Sequence, residues 1–180
     1  MSKIGGKWED VFNFTQNQED NMSRFKGDHY CKVDSKGRIL FPAKLKKQSL
    51  PESGEAFVGK LSAFEKSLLL YTQSAWDLLA DKTLSRLNPY NAKHDQFKRD
   101  FFRDVVDLDF DSSGRILLPR RFLEILQLVP GEGGDVVLAG QGDRIELMSQ
   151  SQYQATELTS EERKSLSQDV MGEFTWDDGH

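Results

Sequence analysis

Arg38 and Arg115 occupy the same place in a string that occurs twice. Asp34-Ser-Lys-Gly-Arg-Ile-Leu-Phe-Pro42 returns as Asp111-Ser-Ser-Gly-Arg-Ile-Leu-Leu-Pro119, with seven of nine positions identical at an offset of 77. A guanidinium is a permanently charged planar fork of donors and suits flat, paired acceptors. The aspartate four residues earlier can pair with it or hold the intervening turn through loop amides. One copy alone would read as a surface ion pair fixing a hairpin, which adds little. Two copies, with Lys36, Lys44, Arg120 and Arg121 close in sequence, make a repeated array of cationic donors. Such an array suits a ligand that is itself a repeated array of acceptors.

The formal net charge of -5 conceals an uneven distribution. Residues 1–22 carry four acids against two lysines, and residues 154–180 carry seven acids against Arg163 and Lys164, so residues 23–153 are net +2. Both motifs are locally basic: residues 34–47 set Lys36, Arg38, Lys44, Lys46 and Lys47 against Asp34 alone, and residues 111–121 set Arg115, Arg120 and Arg121 against Asp111. Local basic patches of this kind are the footprint of nucleic-acid binding. Lysine and arginine contacts to phosphate set affinity and register, and a few side chains at base edges read sequence, arginine to guanine most often. The expected DNA-binding set is Lys36, Arg38, Lys44, Arg115, Arg120 and Arg121. Lys46 and Lys47 read as a solvated helix face, and the acidic tail as a solubilising segment.

These residues need elements to hold them. Ser35-Lys36-Gly37 fits a three-residue hairpin loop with glycine in the left-handed position, so Asp34 and Arg38 face each other across it. Asp111, Gly114 and Arg115 repeat the arrangement, and Pro42 and Pro119 each open a helix. The unit is strand, turn, strand, helix. Strands are expected from His29, at Ile39–Phe41, Phe57–Gly59, Leu68–Thr72, Val105–Phe110, Val136–Ala139 and Arg144–Met148, the last two flanking a turn at Gly140–Asp143. Ser74 with Asp77 three residues later resembles a capping box for a helix bearing Trp76, Leu79, Ala80, Thr83 and Leu87 on one face and broken at Asn88-Pro89. A further helix is expected over 92–103, with Phe97 and Phe101 four apart. Tyr153 stands 77 residues after Trp76, so the duplication reaches beyond the nine-residue string.

Other chemistry finds little support. Asp107, Asp109 and Asp111 alternate like the start of a calcium loop, but Ser112 and Leu118 stand where the glycine and the final glutamate are required. His29, Cys31 and His94 could be imagined as a metal site or a thiol with its base, yet no paired-cysteine, His-Glu-Xaa-Xaa-His or nucleophile-elbow sequence occurs. Gly131-Glu-Gly-Gly134 is a turn without the spacing of a phosphate loop. No catalytic residue, metal or cofactor is assigned, and neither an enzyme nor a small-molecule substrate is expected. With one cysteine, no internal disulfide can form. The N-terminus shows no apolar segment of the secretory kind, so a cytoplasmic chain is expected, and no apolar run exceeds four residues, far short of the roughly 20 that span a bilayer, so no membrane partner is expected.

The paired Asp-Xaa-Xaa-Gly-Arg-Ile-Xaa-Xaa-Pro motifs, with Phe25-Xaa-Gly27 before the first and Val136-Val-Leu-Ala-Gly140 after the second, resemble the MraZ family of bacterial transcriptional regulators. The match covers about residues 24–153; one copy would indicate only the broader AbrB-like class. The resemblance implies a double AbrB-like, swapped-hairpin barrel and a ring-shaped homo-oligomer. It implies a nucleoid-associated regulator that binds direct repeats in the promoter of its own operon of cell-division and cell-wall genes. It places Arg38 and Arg115 in the family's Asp-Xaa-Xaa-Xaa-Arg motifs, with Lys36 in the first loop. Ser113 replaces that lysine in the second loop, so the two halves are not expected to contact DNA equally.

The sequence therefore predicts a mainly β protein with short helices. Residues 1–22 form a flexible arm, 23–90 the first repeat, 91–104 a connecting helix, 105–153 the second repeat and 154–180 a C-terminal helix and acidic tail. Self-association is expected, because small hairpin units leave strand edges and apolar helix faces to cover, with Trp76, Phe97, Phe101 and Phe102 as candidates either for that or for packing within one chain. The alternative function is an oligomeric protein-interaction scaffold without specific DNA recognition.

Overall fold

Alternating burial along short strands builds the fold. The structure, a computed structural model, describes residues 24–49, 56–64 and 66–172. The expected N-terminal arm and the last eight residues of the tail lie outside the described residues. The described residues form eight strands: β1 (Phe25–Val33), β2 (Arg38–Leu40), β3 (Ala56–Leu61), β4 (Leu68–Tyr71), β5 (Val106–Asp109), β6 (Arg115–Leu117), β7 (Gly134–Gly142) and β8 (Arg144–Ser149). The helices are α1 (Ala43–Gln48), α2 (Gln73–Leu84), α3 (Ala92–Phe101), α4 (Arg120–Ile125), α5 (Gln150–Ala155) and α6 (Ser160–Met171). Residues up to Gln150 belong to one compact unit and those from Ser151 to a second.

In the first unit all strand pairs are antiparallel, in the order β5-β3-β4-β8-β7-β1-β2-β6. A bridge between Phe110 and Ile116 links the two outer strands. The sheet is thus a nearly closed barrel, a tandem-duplicated AbrB-like fold in which the halves exchange strands. β1 of the first half lies on β7 of the second, from Phe25 opposite Gly142 to Val33 opposite Gly134. In return β5 of the second half lies on β3 of the first, Leu108 opposite Phe57. Closure removes one expected ground for self-association, because the strand edges are covered within the chain.

A local two-fold relates the halves and passes through two ladders. In one, Ile39 faces Ile116; in the other, Leu69 faces Glu146. The 77-residue offset holds at both ladders but not throughout. Val58 pairs with Tyr71, and the matching pair is Val137 with Met148, so β3 and β7 correspond at an offset of 79. Two extra residues before β7 are compensated by a shorter connection after it. That connection is Asp143 alone, because β7 runs on to Gly142 where the sequence suggested a turn from Gly140.

Ile39, Leu45, Leu68, Leu70, Ile116, Leu126, Val136, Leu138, Ile145 and Leu147 are fully buried. Each such side chain contributes about 1.5–3 kcal/mol relative to exposure. Phe25, Phe41, Phe57 and Phe110 pack as a chain of rings at centroid distances of 5.0–6.0 Å. A smaller cluster gathers Tyr71, Ala75, Trp76 and Ala80, with Trp76 stacked on Phe101 at 5.5 Å. Trp76 and Phe101 therefore serve packing within the chain, whereas Phe97 and Phe102 remain substantially exposed. The helix before them is capped by Thr72, whose hydroxyl accepts from the amide of Ala75. Ser74 lies inside the first turn and Asp77 accepts from the Gln73 side chain, so the expected Ser74–Asp77 capping box does not form; the cap is two residues earlier and is the Thr72 hydroxyl alone.

In the second unit α6 begins with a true capping box. Thr159 accepts from the Glu162 amide, and the Glu162 carboxylate accepts from the Thr159 amide at 2.9 Å. The Thr159 hydroxyl, which donates to the Glu162 carboxylate at 2.7 Å, and then the Thr159 amide hold the Glu162 carboxyl below its ordinary value. Leu166, Val170 and Met171 of this helix are exposed.

Candidate nucleic-acid interface

Each motif folds as its residues dictate. In the first, the Gly37 amide donates to the Asp34 carbonyl and the Asp34 amide to the Arg38 carbonyl, both at 2.9 Å. The second repeats both bonds at Gly114, Asp111 and Arg115. Gly37 has φ +80° and Gly114 φ +73°, the left-handed conformation that a side chain disfavours. One carboxylate oxygen of Asp34 accepts from the amides of Lys36 and Arg38, and Asp111 does the same for Ser113 and Arg115. The loops also brace each other: Leu118 donates to the Gly37 carbonyl at 2.9 Å and Phe41 to the Gly114 carbonyl at 3.1 Å.

Between the loops runs the β2–β6 ladder. Its register sets Arg38 opposite Leu117, Ile39 opposite Ile116 and Leu40 opposite Arg115. With both isoleucines wholly buried, alternation turns the other four side chains to the outer face. The result is a two-by-two array, arginines on one diagonal and leucines on the other.

The arginines differ in their partners. Arg38 donates from Nε to Asp34 Oδ2 at 2.8 Å, and its Nη2 lies 2.7 Å from the same oxygen. The guanidinium is thus held by one edge, and its Nη1 makes no hydrogen bond among the described residues. This bond, foremost, lowers the Asp34 carboxyl to about 2. Asp111 is also lowered, chiefly by the Arg115 backbone N–H, and the Arg38 charge adds to it from the other motif. Among the described residues the Arg115 guanidinium makes neither a hydrogen bond nor an ion pair.

Lys36 is exposed at the tip of the first loop and Lys44 on α1. Arg120 pairs with Glu124 at 3.3 Å, and Arg121 pairs with Asp104, so both are engaged within the chain. Lys46 sits 4.5 Å from the centre of the Phe110 ring. Pro42 and Pro119 precede α1 and α4 as their N-terminal caps. The ladder thus gathers Arg38, Arg115, Leu40 and Leu117, while Arg120 and Arg121 are tied to neighbouring acids.

Beside this face lies a cavity of about 630 Å³ lined in part by His29, Tyr30, Cys31 and Leu40. His29 Nε2 is buried there without a partner, and burial raises the Cys31 thiol, which disfavours the thiolate. No group of three metal-ligating side chains occurs among the described residues. Asp107 and Asp109 are outward residues of β5, as their alternation suggested.

Residues 101–172, which include the second motif, match the family described as "MraZ protein, putative antitoxin-like". Similarity to curated proteins extends over most of the chain. A Transcriptional regulator MraZ from Bacteroides thetaiotaomicron is 32% identical over 158 residues, 88% of this chain and 99% of the relative. The chain belongs to the MraZ family. Another MraZ, from Cytophaga hutchinsonii, is 34% identical over 133 residues, covering 74% of this chain and 84% of its own. A third, from Flavobacterium psychrophilum, is 33% identical over 158 residues, covering 87% and 98%.

In this MraZ-family chain the sequence reading missed Leu40 and Leu117. Ile39-Leu40-Phe41 looks like one apolar strand, yet Leu40 is 63% exposed and Leu117 59%. The signal was the two-residue period: residues alternating with a buried isoleucine share the face of the arginine.

Proposed function

We propose that the chain is a sequence-specific DNA-binding transcriptional regulator that recognises direct repeats in the promoter of its own cell-division and cell-wall operon. The observation that carries this is the diagonal pair Arg38 and Arg115 on an outward two-stranded ribbon, a shape the major groove admits. The family's relatives, named transcriptional regulators, support the same reading. Lys36 and Lys44 contribute phosphate contacts that set register, Arg120 and Arg121 add such contacts by exchanging their Glu124 and Asp104 partners for phosphate, and the arginines of the ladder read guanine. Asp34, Gly37, Pro42, Asp111, Gly114 and Pro119 hold the two turns and helix starts in place.

Several copies in a ring would set equivalent ribbons against successive repeats, and linked weak contacts then multiply through effective concentration. The half-exposed Phe97 and Phe102 on and after α3 favour such self-association. No helix among the described residues is long and apolar enough to cross a membrane. The protein acts in the cytoplasm, at the nucleoid, without catalysis or cofactor.

Fluorescence anisotropy with duplex from the chain's own upstream region, against a shuffled duplex and across a salt series, tests the reading. Preference for the native duplex with a steep salt slope is expected. Equal or absent binding would favour an interaction scaffold.

A further inference from the structure

We infer that Leu40 and Leu117 are specificity residues that contact thymine methyl groups in the major groove. The inference rests on the DNA-binding reading and adds a second kind of base readout to it. Both leucines stand at equivalent places about the local two-fold, and both are more than half exposed while Ile39 and Ile116 between them are fully buried. Pointing outward, they add nothing to the barrel core. Each has an arginine as its cross-strand neighbour: Leu117 beside Arg38, and Leu40 beside Arg115.

These surroundings select the occupant. An apolar patch flanked by arginines needs a partner that is anionic at its border and locally apolar within. Duplex DNA offers phosphates on both sides of the major groove, and the C5 methyl of thymine is the one apolar group on its base edges. Side chains directly opposite in an antiparallel ladder are about 5 Å apart, and base pairs rise by about 3.4 Å. An arginine bonded to one base pair therefore leaves its neighbouring leucine over a pair one or two steps away. The local two-fold of the ladder matches the local dyads of a duplex, a symmetry that an arbitrary protein surface lacks.

The test removes methyl groups from the DNA and leucines from the protein. Full-length protein, its Leu40→Ala/Leu117→Ala variant and a Leu40→Met/Leu117→Met variant are each titrated by anisotropy. The probes are the native upstream duplex, the same duplex with deoxyuridine in place of every thymidine, and the shuffled duplex. Light scattering and urea unfolding accompany each variant. For the wild type, deoxyuridine should weaken binding about fourfold per contacted methyl. The alanine variant should bind the native duplex more weakly by a similar factor and no longer distinguish the two duplexes. The methionine variant, which keeps an apolar tip, should retain part of the discrimination.

Wild-type preference for the native over the shuffled duplex with no loss on deoxyuridine substitution would overturn the inference and leave the proposed function intact. The same deoxyuridine loss in wild type and alanine variant would also overturn it, as would a change of oligomeric state with methyl sensitivity unaltered, which would assign the face to a second copy. Absence of any preference for the native duplex would sink the proposed function and this inference together.

Discussion

The two copies of the motif share a backbone but not an electrostatic arrangement. In the first, Arg38 is clamped by Asp34 through Nε and Nη2, Lys36 crowns the loop, and the turn glycine is buried. In the second, Arg115 is unpaired among the described residues, Ser113 replaces the lysine, and Gly114 is less enclosed. Duplication thus preserved the turn, which backbone geometry enforces, and let the side chains on it diverge. One half presents an oriented cation with an added charge; the other presents a movable one. An arginine held in advance loses less entropy on bonding a base, whereas a free one can adapt to more than one.

The largest difference should appear in stability. At Gly37 a Cβ would lie 3.1 Å from the Leu123 side chain in a left-handed backbone, whereas nothing lies within 4 Å at Gly114. Gly37→Ala should cost about 2–4 kcal/mol, from left-handed strain plus overpacking, and Gly114→Ala only about 1–2. Urea unfolding of the two variants measures the gap; equal losses would refute the packing distinction.

Next come the arginines. Arg38→Ala and Arg115→Ala should each lower specific affinity by about 1–3 kcal/mol if each makes a bidentate base contact. The comparison sharpens in the entropy: calorimetry should find a larger unfavourable entropy of binding in a variant left with Arg115 alone than in one left with Arg38 alone. Unchanged discrimination between native and shuffled duplex in both variants would reduce the arginines to turn supports.

A smaller effect separates the loops. Lys36→Ser should flatten the slope of log affinity against log salt by about 0.9, and Ser113→Lys should steepen it by about the same amount, as follows when one phosphate fewer or one more is neutralised. Slopes that do not move would place the loop tips away from the DNA backbone.

The smallest difference lies in acid titration. Asp34 titrates at about 2, below its ordinary 3.8, so the stability its ionised form contributes is present above 3.8 and lost as pH falls towards 2. Asp111 is lowered without a guanidinium hydrogen bond. Carboxyl NMR should show Arg38→Ala raising the Asp34 midpoint markedly and Arg115→Ala raising that of Asp111 only slightly. Equal displacements would contradict the difference in pairing.

Much of the molecule was legible in local residue order. Asp34 to Pro42 encodes its turn, strand and helix start through aspartate acceptors, a left-handed glycine and proline, and the second copy obeys the same chemistry. Strand partners were not legible. Nothing within β1 names β7 as its neighbour over β3, because both offer similar apolar faces and the choice depends on the closed barrel as a whole. The helix cap was misplaced because Thr72 and Ser74 both present hydroxyls, and only the backbone bend decides which one meets a free amide. The charged candidates for DNA contact could be named from residue type alone. Leu40 and Leu117 were hidden by their own apolarity, which reads as core until the ladder fixes which way they point.

The exchange of strands also governs when the protein can fold. β1 has its long ladder with a strand that begins more than 100 residues later, while β3 waits for β5. A chain leaving the ribosome therefore carries its first half with β1, β2, β3 and β4 each lacking a partner on one edge, and the last of these partners, β8, emerges only at the end of the barrel sequence. Each half lends a strand to the other, so completion of the barrel depends on both copies of the duplication. An ancestral single copy would have had to find its missing strands in a second molecule, and the fusion turned that bimolecular encounter into the closing of a loop.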